Sequence, residues 1–195
     1  MSSARGVCTV TTLSCWLLAS SIHQARAEAV DGMSGVLDVI GELHNTPCAV
    51  DKPSAYQEVN LGTVSRSQLL RPGDQGTPVA FQLRFVDCQR ASGSIQSELT
   101  GNLVWSAYQP VVSVAFVAPA DADDPRLVKV RGVTGMGLLL TDALGRNAAL
   151  GSRGEPLFMQ HGNDTQTWHV QPVRTSAALG NGAFRAAVDF RLVYE

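Results

Sequence analysis

The last sixteen residues, Gly180–Glu195, read GNGAFRAAVDFRLVYE. From residue 184 onward every even position is apolar, and most odd positions are small or charged. The even positions are Phe184, Ala186, Val188, Phe190, Leu192 and Tyr194. Alternation with a period of two is typical of a β-strand that has one buried and one wet face. Since most domains fray over their final residues, a strand packed as far as the penultimate residue is unusual.

The first 27 residues have the organisation of a secretory signal peptide. A weakly basic start is followed by an uncharged stretch, residues 6–20, and by the small-residue motif Ala-Arg-Ala, which ends at Ala27. The apolar run is too short and too rich in Ser and Thr to span a bilayer. A lipid anchor at Cys15 is an alternative, although the sequence TLSC lacks the usual leucine three residues earlier. We expect cleavage after Ala27 and export of the mature chain.

Composition is that of an ordinary globular domain. The 195 residues are 45% hydrophobic and 16% charged, with a net charge of −2. Loss of the leader removes Arg5 and Arg26. The mature chain then has 13 basic and 17 acidic residues, and its net charge is −4. This mildly acidic balance gives no electrostatic reason to expect nucleic acid as a partner. The mature length suits one domain.

Two cysteines remain after the leader is removed, Cys48 and Cys88. In an exported protein an even pair is most simply a disulfide. The chain-entropy model gives a cross-link over 40 positions about 4 kcal/mol of stabilisation. Two isolated cysteines supply too few ligands for zinc.

Short strand patterns separated by turn-forming segments fill the mature chain. The strand patterns are GVLDVIGELH, YQEVNLGTV, TPVAFQLRFVDC, PVVSVAFVAP, RLVKVRG, GMGLLLTDALGRNAAL, TQTWHVQPV and the terminal stretch. Turn residues cluster in RPGDQG, ADADDP, GSRGEP, HGND and LGNG. Only SIQSELTGNLVW, residues 94–105, hints at a helix, and it contains Gly101. The sequence predicts an all-β, antiparallel sandwich.

Catalytic and metal-binding motifs do not emerge from the sequence. The motifs H-E-x-x-H, C-x-x-C and G-x-S-x-G do not occur, and RGVTGMG lacks the lysine of a phosphate-binding loop. The acidic stretch DADD, residues 121–124, is more simply a solvated loop than a cation site. His44 and His169 fall within strand patterns, and Trp105 and Trp168 are more simply packing residues than a carbohydrate platform. We predict no enzymatic activity, no cofactor and no metal site.

Five motifs, in order along the chain, resemble the pilin subunits of chaperone–usher fimbriae of the type 1 and P pilus kind. These are GVLDVIGELHNTPCAVD with Gly41 seven residues before Cys48, VNLGTVSRSQL, PVAFQLRFVDC, GMGLLLTDALGRNAAL and the terminal strand. The last motif has Tyr194 as the penultimate residue and Gly182 fourteenth from the end, as is usual in the family. The resemblance covers nearly the whole mature chain.

The resemblance implies an immunoglobulin-like sandwich that is incomplete because it lacks its last strand. The groove that is left would be edged by the terminal strand, with Gly182, Phe184, Ala186, Val188, Phe190, Leu192, Tyr194 and Glu195 as its edge residues. A periplasmic chaperone strand would fill this groove first and would hold the carboxylate of Glu195. The next subunit's N-terminal extension would then replace it, a form of β-strand addition that the resemblance supplies.

The same resemblance divides the chain into a signal peptide (1–27), an N-terminal extension or donor strand (28–46) and a pilin domain (47–195). The inward-alternating donor residues would be Leu37, Val39, Gly41 and Leu43. Gly41 would let the backbone pass close to its neighbour. Residues 36–44 could instead form the first strand of their own domain.

The function implied is that of a structural subunit that polymerises by donor-strand exchange and supports adhesion. Its partners would be a periplasmic chaperone, an outer-membrane usher and neighbouring subunits at the cell surface. The long stretch after Cys88 and the ending FRLVYE also fit a minor or base-terminating subunit. The alternative function is a free-standing secreted β-sandwich that binds a small ligand or a carbohydrate.

Overall fold

Residues 37–38, 40, 46–97 and 100–194 are described by the computed structural model. The chain divides into two units, Met1–Glu42 and Leu43–Glu195. Of the first unit only Leu37, Asp38 and Ile40 are described, and all three are exposed. The expected signal peptide and most of the expected donor segment therefore lie outside the described residues.

The second unit is built almost entirely of strands. Its elements in chain order are β1 (Ala49–Val50), α1 (Lys52–Ala55), a 3₁₀ turn (Arg66–Gln68), β2 (Val79–Cys88), β3 (Gly93–Gln96), β4 (Leu103–Ser106), β5 (Val111–Val117), β6 (Val128–Lys129), β7 (Met136–Asp142), β8 (Leu157–Phe158), β9 (Gly162–Arg174) and β10 (Asp189–Tyr194). The prediction of an all-β fold is confirmed. The short helix α1 is capped by Asp51, whose carboxylate accepts the Ser54 N–H at 2.8 Å.

Two antiparallel sheets and a separate hairpin organise these strands. The larger sheet has the order β1-β2-β9-β7-β6, the smaller has the order β10-β5-β8, and β3 pairs with β4 alone. In β2 the alternation predicted from the sequence is observed, since Leu83 and Phe85 are buried while Gln82 and Arg84 are exposed. A strand with one wet face and one dry face is what a two-layer sandwich requires.

The core lies between the two sheets and is fastened by aromatic contacts. Phe116 of β5 meets Trp168 of β9 edge-on with 4.8 Å between the ring centroids, and meets Phe81 of β2 at 6.2 Å. Edge-to-face pairs of this kind add to the burial of the rings themselves. The expected disulfide is present between Cys48 and Cys88, and both residues are almost fully buried. The cross-link joins the residue before β1 to the last residue of β2.

Two segments in the first half of the domain differ from the sequence prediction. Within residues 94–105 the described parts belong to β3 and β4, which pair as an antiparallel hairpin, so the hint of a helix there was wrong. Gly101, with a φ of 71°, provides the left-handed residue of the connection. The second segment, residues 56–64, alternates like a strand but forms no strand. The carboxamide oxygen of Asn60 accepts the N–H of Gly62 at 2.8 Å, and Gly62 has a φ of 62°, so the chain turns at this point.

Candidate assembly groove

Side chains of the C-terminal segment alternate as the sequence predicts. Its even positions are all half-buried and pack against the main core: Phe184, Ala186, Val188, Phe190, Leu192 and Tyr194. The odd positions Arg185, Ala187, Asp189 and Arg191 are exposed. Large apolar side chains in contact with a core but only half-buried indicate a core surface that this domain leaves partly open to solvent.

Only the second half of this segment is a regular strand. The sequence predicted a strand from Phe184, whereas β10 begins at Asp189, opposite Val117 of β5. β5 ends at Val117 and Pro119 follows shortly after, so the earlier residues have no strand beside them. They are fixed instead by one bridge, in which Arg131 and Arg185 exchange backbone hydrogen bonds of 2.9 and 3.0 Å.

The pairing of β10 leaves one of its edges free. Phe190, Leu192 and Tyr194 lie opposite Phe116, Val114 and Val112 of β5. Within the part of the chain that the structure describes, β5 is the only strand that pairs with β10. The backbone N–H and C=O groups on the other edge are therefore available to an added strand.

A second wall faces the same core. Val50, Val59, Leu61 and Val64 are half-buried and pack against the cluster that the C-terminal segment contacts. No strand pairing among the described residues involves 57–65. We call the apolar surface formed by these four residues and the six even positions 184–194 the assembly groove.

One end of the assembly groove is closed by a tyrosine. The Tyr194 hydroxyl donates to the carbonyl oxygen of Cys48 at 2.6 Å, and the same oxygen accepts from Thr46 Oγ1 at 2.9 Å. Because Cys48 is disulfide-bonded to Cys88 of β2, this hydrogen bond ties the end of the smaller sheet to the larger one. Burial raises the pKa of the Tyr194 phenol above its usual value.

The other end contains a pocket of about 250 Å³. Val64 and Leu69 line it from one wall, and Leu179, Gly182 and Phe184 line it from the other. Arg66 Nη1 donates to Asn181 Oδ1 at 3.4 Å across the rim. The two walls therefore approach each other at both ends and leave an apolar surface between them.

Two glycines let the C-terminal segment reach this position. A Cβ on Gly132, whose φ is 102°, would lie 2.2 Å from the carbonyl oxygen of Ala183. Gly182, one of the predicted edge residues, has a φ of 144°, which a side chain would strain. The sequence did not identify Gly132 as a contact residue. The stretch RGVTGMG resembles an incomplete phosphate-binding loop, and nothing in it indicates a close approach to Ala183.

The other residues singled out in the sequence lie outside the assembly groove or outside the described residues. Leu37 is 85% exposed, whereas Val39, Gly41, Leu43 and Glu195 lie outside the described residues. Trp168 is buried, but Trp105 is 65% exposed on β4. His161 is exposed, with Nδ1 2.9 Å from the carbonyl oxygen of Cys88. The described residues contain no group of His, Cys, Asp and Glu that could hold a metal ion.

Two solved structures of pilus subunits are similar to this chain in fold. The P pilus rod subunit PapA matches with a TM-score of 0.62 and 26% identity, over 77% of this chain and all of that one. A subunit from a chaperone–usher pilus structure matches with a TM-score of 0.63 and 22% identity, over 87% of this chain and all of that one, a likeness in fold alone. The fold is therefore the immunoglobulin-like sandwich of pilus subunits.

Sequence relatives belong to the same class. Long polar fimbria protein A of Salmonella typhimurium is 27% identical over 92% of this chain and 94% of its own length. The Pap fimbrial major pilin protein of Escherichia coli is 27% identical over 80% of each chain. The fimbrial protein family model matches residues 37–195, and the chain belongs to this family.

Membership of the family establishes the general role. The protein is a structural subunit of a chaperone–usher pilus, and such subunits are exported to the cell surface and polymerise with their neighbours. Among the described residues, no helix has the length and hydrophobicity needed to cross a membrane.

Replacing Tyr194 with phenylalanine tests the closure at the disulfide end. The variant removes the hydrogen bond to Cys48, but Thr46 still satisfies that carbonyl oxygen. We therefore expect the unfolding free energy to fall by only about 1 kcal/mol in urea titrations at pH 7. Tyr108→Phe, at a side chain that is 67% exposed, is the control and should change it by less than about 0.5 kcal/mol. Equal losses of unfolding free energy in the two variants would show that the Tyr194–Cys48 hydrogen bond does not stabilise this end of the groove.

The raised pKa of Tyr194 predicts that the contribution of this residue to the unfolding free energy depends on pH. Since the folded-state pKa of Tyr194 is raised, the stabilisation that this group contributes is complete below about pH 10 and is lost as the pH rises further. The difference in unfolding free energy between wild type and Tyr194→Phe should therefore shrink above pH 10. Urea titrations from pH 8 to pH 11 measure this difference, and a constant or growing gap would contradict the assignment.

Replacing Gly132 with alanine tests the close approach of the C-terminal segment. Gly145→Ala is the matched control, because its φ is also positive at 77° but nothing lies within 4 Å of an added Cβ. Both variants should lose about 1–3 kcal/mol from backbone strain. Gly132→Ala should lose a further 1–3 kcal/mol or so, because its Cβ meets a backbone oxygen. If urea titrations gave equal losses of unfolding free energy for the two variants, the close approach of Gly132 to Ala183 would not contribute to stability.

Proposed function

We propose that the assembly groove accepts a β-strand from the neighbouring subunit and that this addition polymerises the protein into a fibre. The observation that carries the proposal is a row of half-buried apolar side chains on β10, a strand with one free edge. Backbone pairing would supply affinity, and pockets for alternate side chains would supply register.

Physical chemistry supports a strand as the ligand. A free strand edge beside an apolar surface is an aggregation hazard that proteins normally cover. An added strand satisfies the backbone groups of the edge and buries the even side chains from Phe184 to Tyr194 at the same time. A small ligand would fill the 250 Å³ pocket near Phe184 but would leave the edge of β10 unpaired.

The donor in this proposal is the N-terminal extension of another copy. The extension comprises residues 28–46, which follow a signal peptide (1–27) and precede the pilin domain (47–195). Its inward row is Leu37, Val39, Gly41 and Leu43, of which Leu37 is described and is 85% exposed. Gly41 would pass where a side chain has no room.

Export requires that the groove be covered before the fibre forms. In the proposed sequence of events a periplasmic chaperone first adds its own strand to β10 and binds the carboxylate of Glu195, and an outer-membrane usher then exchanges it for the extension of the next subunit. Exchange of one strand for a better-packed one is a binding reaction. It uses no nucleophile, cofactor or metal, and we propose that the protein is not an enzyme.

Within the fibre we assign the chain to the repeated rod. The similar proteins include one named as a major pilin and one named as a rod subunit, which match at 27% and 26% identity. A base-terminating subunit, which the ending FRLVYE would also fit, caps a fibre once. A rod subunit both donates and accepts a strand, as the groove and the extension together suggest.

Appending the extension to its own domain tests the proposal. Two chains are compared, residues 28–195 alone and the same chain with a second copy of 28–46 joined by a flexible linker after Glu195. Burying three large apolar side chains at about 1.5–3 kcal/mol each, at roughly 2–4 °C per kcal/mol for this size, should raise the melting temperature by about 10–40 °C. Calorimetry in dilute solution measures the gain, and the chain without the appended strand should aggregate when it unfolds.

The matched control carries Asp in place of Leu37, Val39 and Leu43 in the appended copy only. It keeps the linker and length but cannot fill apolar pockets, so it should give almost no gain. A chain without the addition that is monomeric and stable, and that gains nothing from the wild-type strand, would show a complete sandwich. That result would favour the alternative function, a free-standing secreted β-sandwich that binds a small ligand or a carbohydrate.

A further inference from the structure

The acidic charge of the mature chain is concentrated in the segment that the proposed function assigns as the donor. Residues 28–46 contain four acidic residues and neither lysine nor arginine: Glu28, Asp31, Asp38 and Glu42. The other 13 of the 17 acidic residues lie in residues 47–195, together with all 13 basic residues of the mature chain. The pilin domain is therefore neutral by formal charge, and an acidic strand that approaches it is guided by local charges on its surface.

The exposed row of the C-terminal segment supplies such local charges. Arg185, Asp189 and Arg191 are all exposed and alternate with the half-buried groove residues. Arg131 lies directly opposite Arg185 in the backbone bridge, an arrangement of like charges that is unfavourable by itself. Among the described residues, no ion pair involves Arg131, Arg185 or Arg191. These guanidinium groups are therefore available to the carboxylates of an added strand.

Apolar alternation does not by itself fix the position of an added strand along the groove. A slip of one residue turns the inward row outward and is excluded by the core. A slip of two residues keeps every side chain on the same face, because the side-chain period is two. In three antiparallel registers that differ by such slips, Gly41 faces Ala186, Val188 or Phe190, all of which are apolar. Charges on the outward face distinguish these registers, since like charges directly opposite each other are unfavourable and opposite charges are favourable.

One antiparallel register matches the acidic residues of the extension with the arginines of the groove. All strand pairings among the described residues are antiparallel, and we place the added strand in the same way. In this register Asp38 lies opposite Arg191, and Asp189 lies opposite the uncharged Ile40. Asp38 and Ile40 are both exposed, as residues of an outward row must be.

Asp189 opposes both neighbouring registers. A slip of two residues in one direction places Asp38 opposite Asp189, and a slip in the other direction places Glu42 opposite it. Each slip therefore creates a directly opposed pair of carboxylates, which is unfavourable. In the favoured register Glu42 lies diagonally beside Arg185, whose long side chain can reach that position, whereas the short side chain of Asp189 cannot.

We propose that the outward charges of the C-terminal segment fix the register in which the extension of another copy enters the assembly groove, with Arg191 attracting Asp38 and Asp189 repelling slipped strands. The inference rests on the proposed function, because only an added strand brings these residues together. Exposed ion pairs contribute little to affinity, so their role is to select the register and to speed the encounter. The apolar row would hold the strand, and the charged row would select its position.

A double-mutant cycle in the chain with the appended extension tests the assigned pair. Arg191→Glu is introduced in the pilin domain, and Asp38→Arg is introduced in the appended copy only. Each variant alone replaces an attraction by a repulsion and should lower the folding equilibrium constant by about 2–30-fold. The two together restore an attractive pair, so the double variant should recover most of the loss. Urea titrations at low salt compare the four chains, and high salt should shrink the coupling because both side chains are exposed.

Arg71→Glu is the matched control, because Arg71 is exposed and forms no ion pair among the described residues but lies outside the groove. Its combination with Asp38→Arg should show no coupling. Additive effects of Arg191→Glu and Asp38→Arg would overturn the proposal, and so would coupling of Arg191→Glu to Glu42→Arg instead, the pair that a parallel strand would form. Failure of the proposed function would look different, since the appended wild-type extension would then give no gain in melting temperature.

Fibres test the same pair between separate copies. Cells that carry the secretion machinery of this protein produce the Asp38→Arg chain, the Arg191→Glu chain or both together, and the ladder of linked subunits is read on an unheated denaturing gel. Either chain alone should give a shorter ladder than wild type. The two together should restore it, because the reversed extension of the first chain matches the reversed groove of the second, and the unchanged extension of the second matches the unchanged groove of the first. A mixture that polymerises no better than its components would contradict the assigned register.

Discussion

The antiparallel pairing of β10 with β5 is the interaction on which the rest of the structure depends. It places Phe190, Leu192 and Tyr194 beside the buried Phe116, Val114 and Val112 on the same face of the smaller sheet, and so fixes which side chains of the C-terminal segment face the core. Because one edge of β10 is used for this pairing, the other edge and a half-buried apolar row remain for a partner. A one-residue slip in register would turn the arginines inward and destroy the groove.

The pairing of β10 with β5 does not by itself fix the width of the assembly groove. Two further contacts, one at each end, hold its walls together. At one end Tyr194 bonds to Cys48, which the disulfide joins to β2, so the smaller sheet is anchored to the larger one through a covalent bond and a 2.6 Å hydrogen bond. At the other end the backbone bridge between Arg131 and Arg185 is possible only because Gly132 has no side chain. A groove of fixed width can select an extended strand by fit.

Local patterns were predictable from the sequence, and long-range closure was not. The alternation in β2 and in the C-terminal segment follows from a period-two repeat that needs no knowledge of the partner strand. The equally regular stretch 56–64 forms no strand, because an Asn60–Gly62 turn outweighs its alternation. The Tyr194–Cys48 bond joins residues 146 positions apart, and the close approach of Gly132 to Ala183 depends on how distant segments cross. Neither contact leaves a periodic signal.

Burial and backbone pairing act together in the assembly groove. Its residues are half-buried, already packed on the core and next to unpaired backbone, so a strand that entered the groove would gain apolar burial and hydrogen bonds at the same time. A compact apolar ligand would gain the burial but would leave the edge of β10 unpaired. The surface therefore favours an extended chain over a compact ligand.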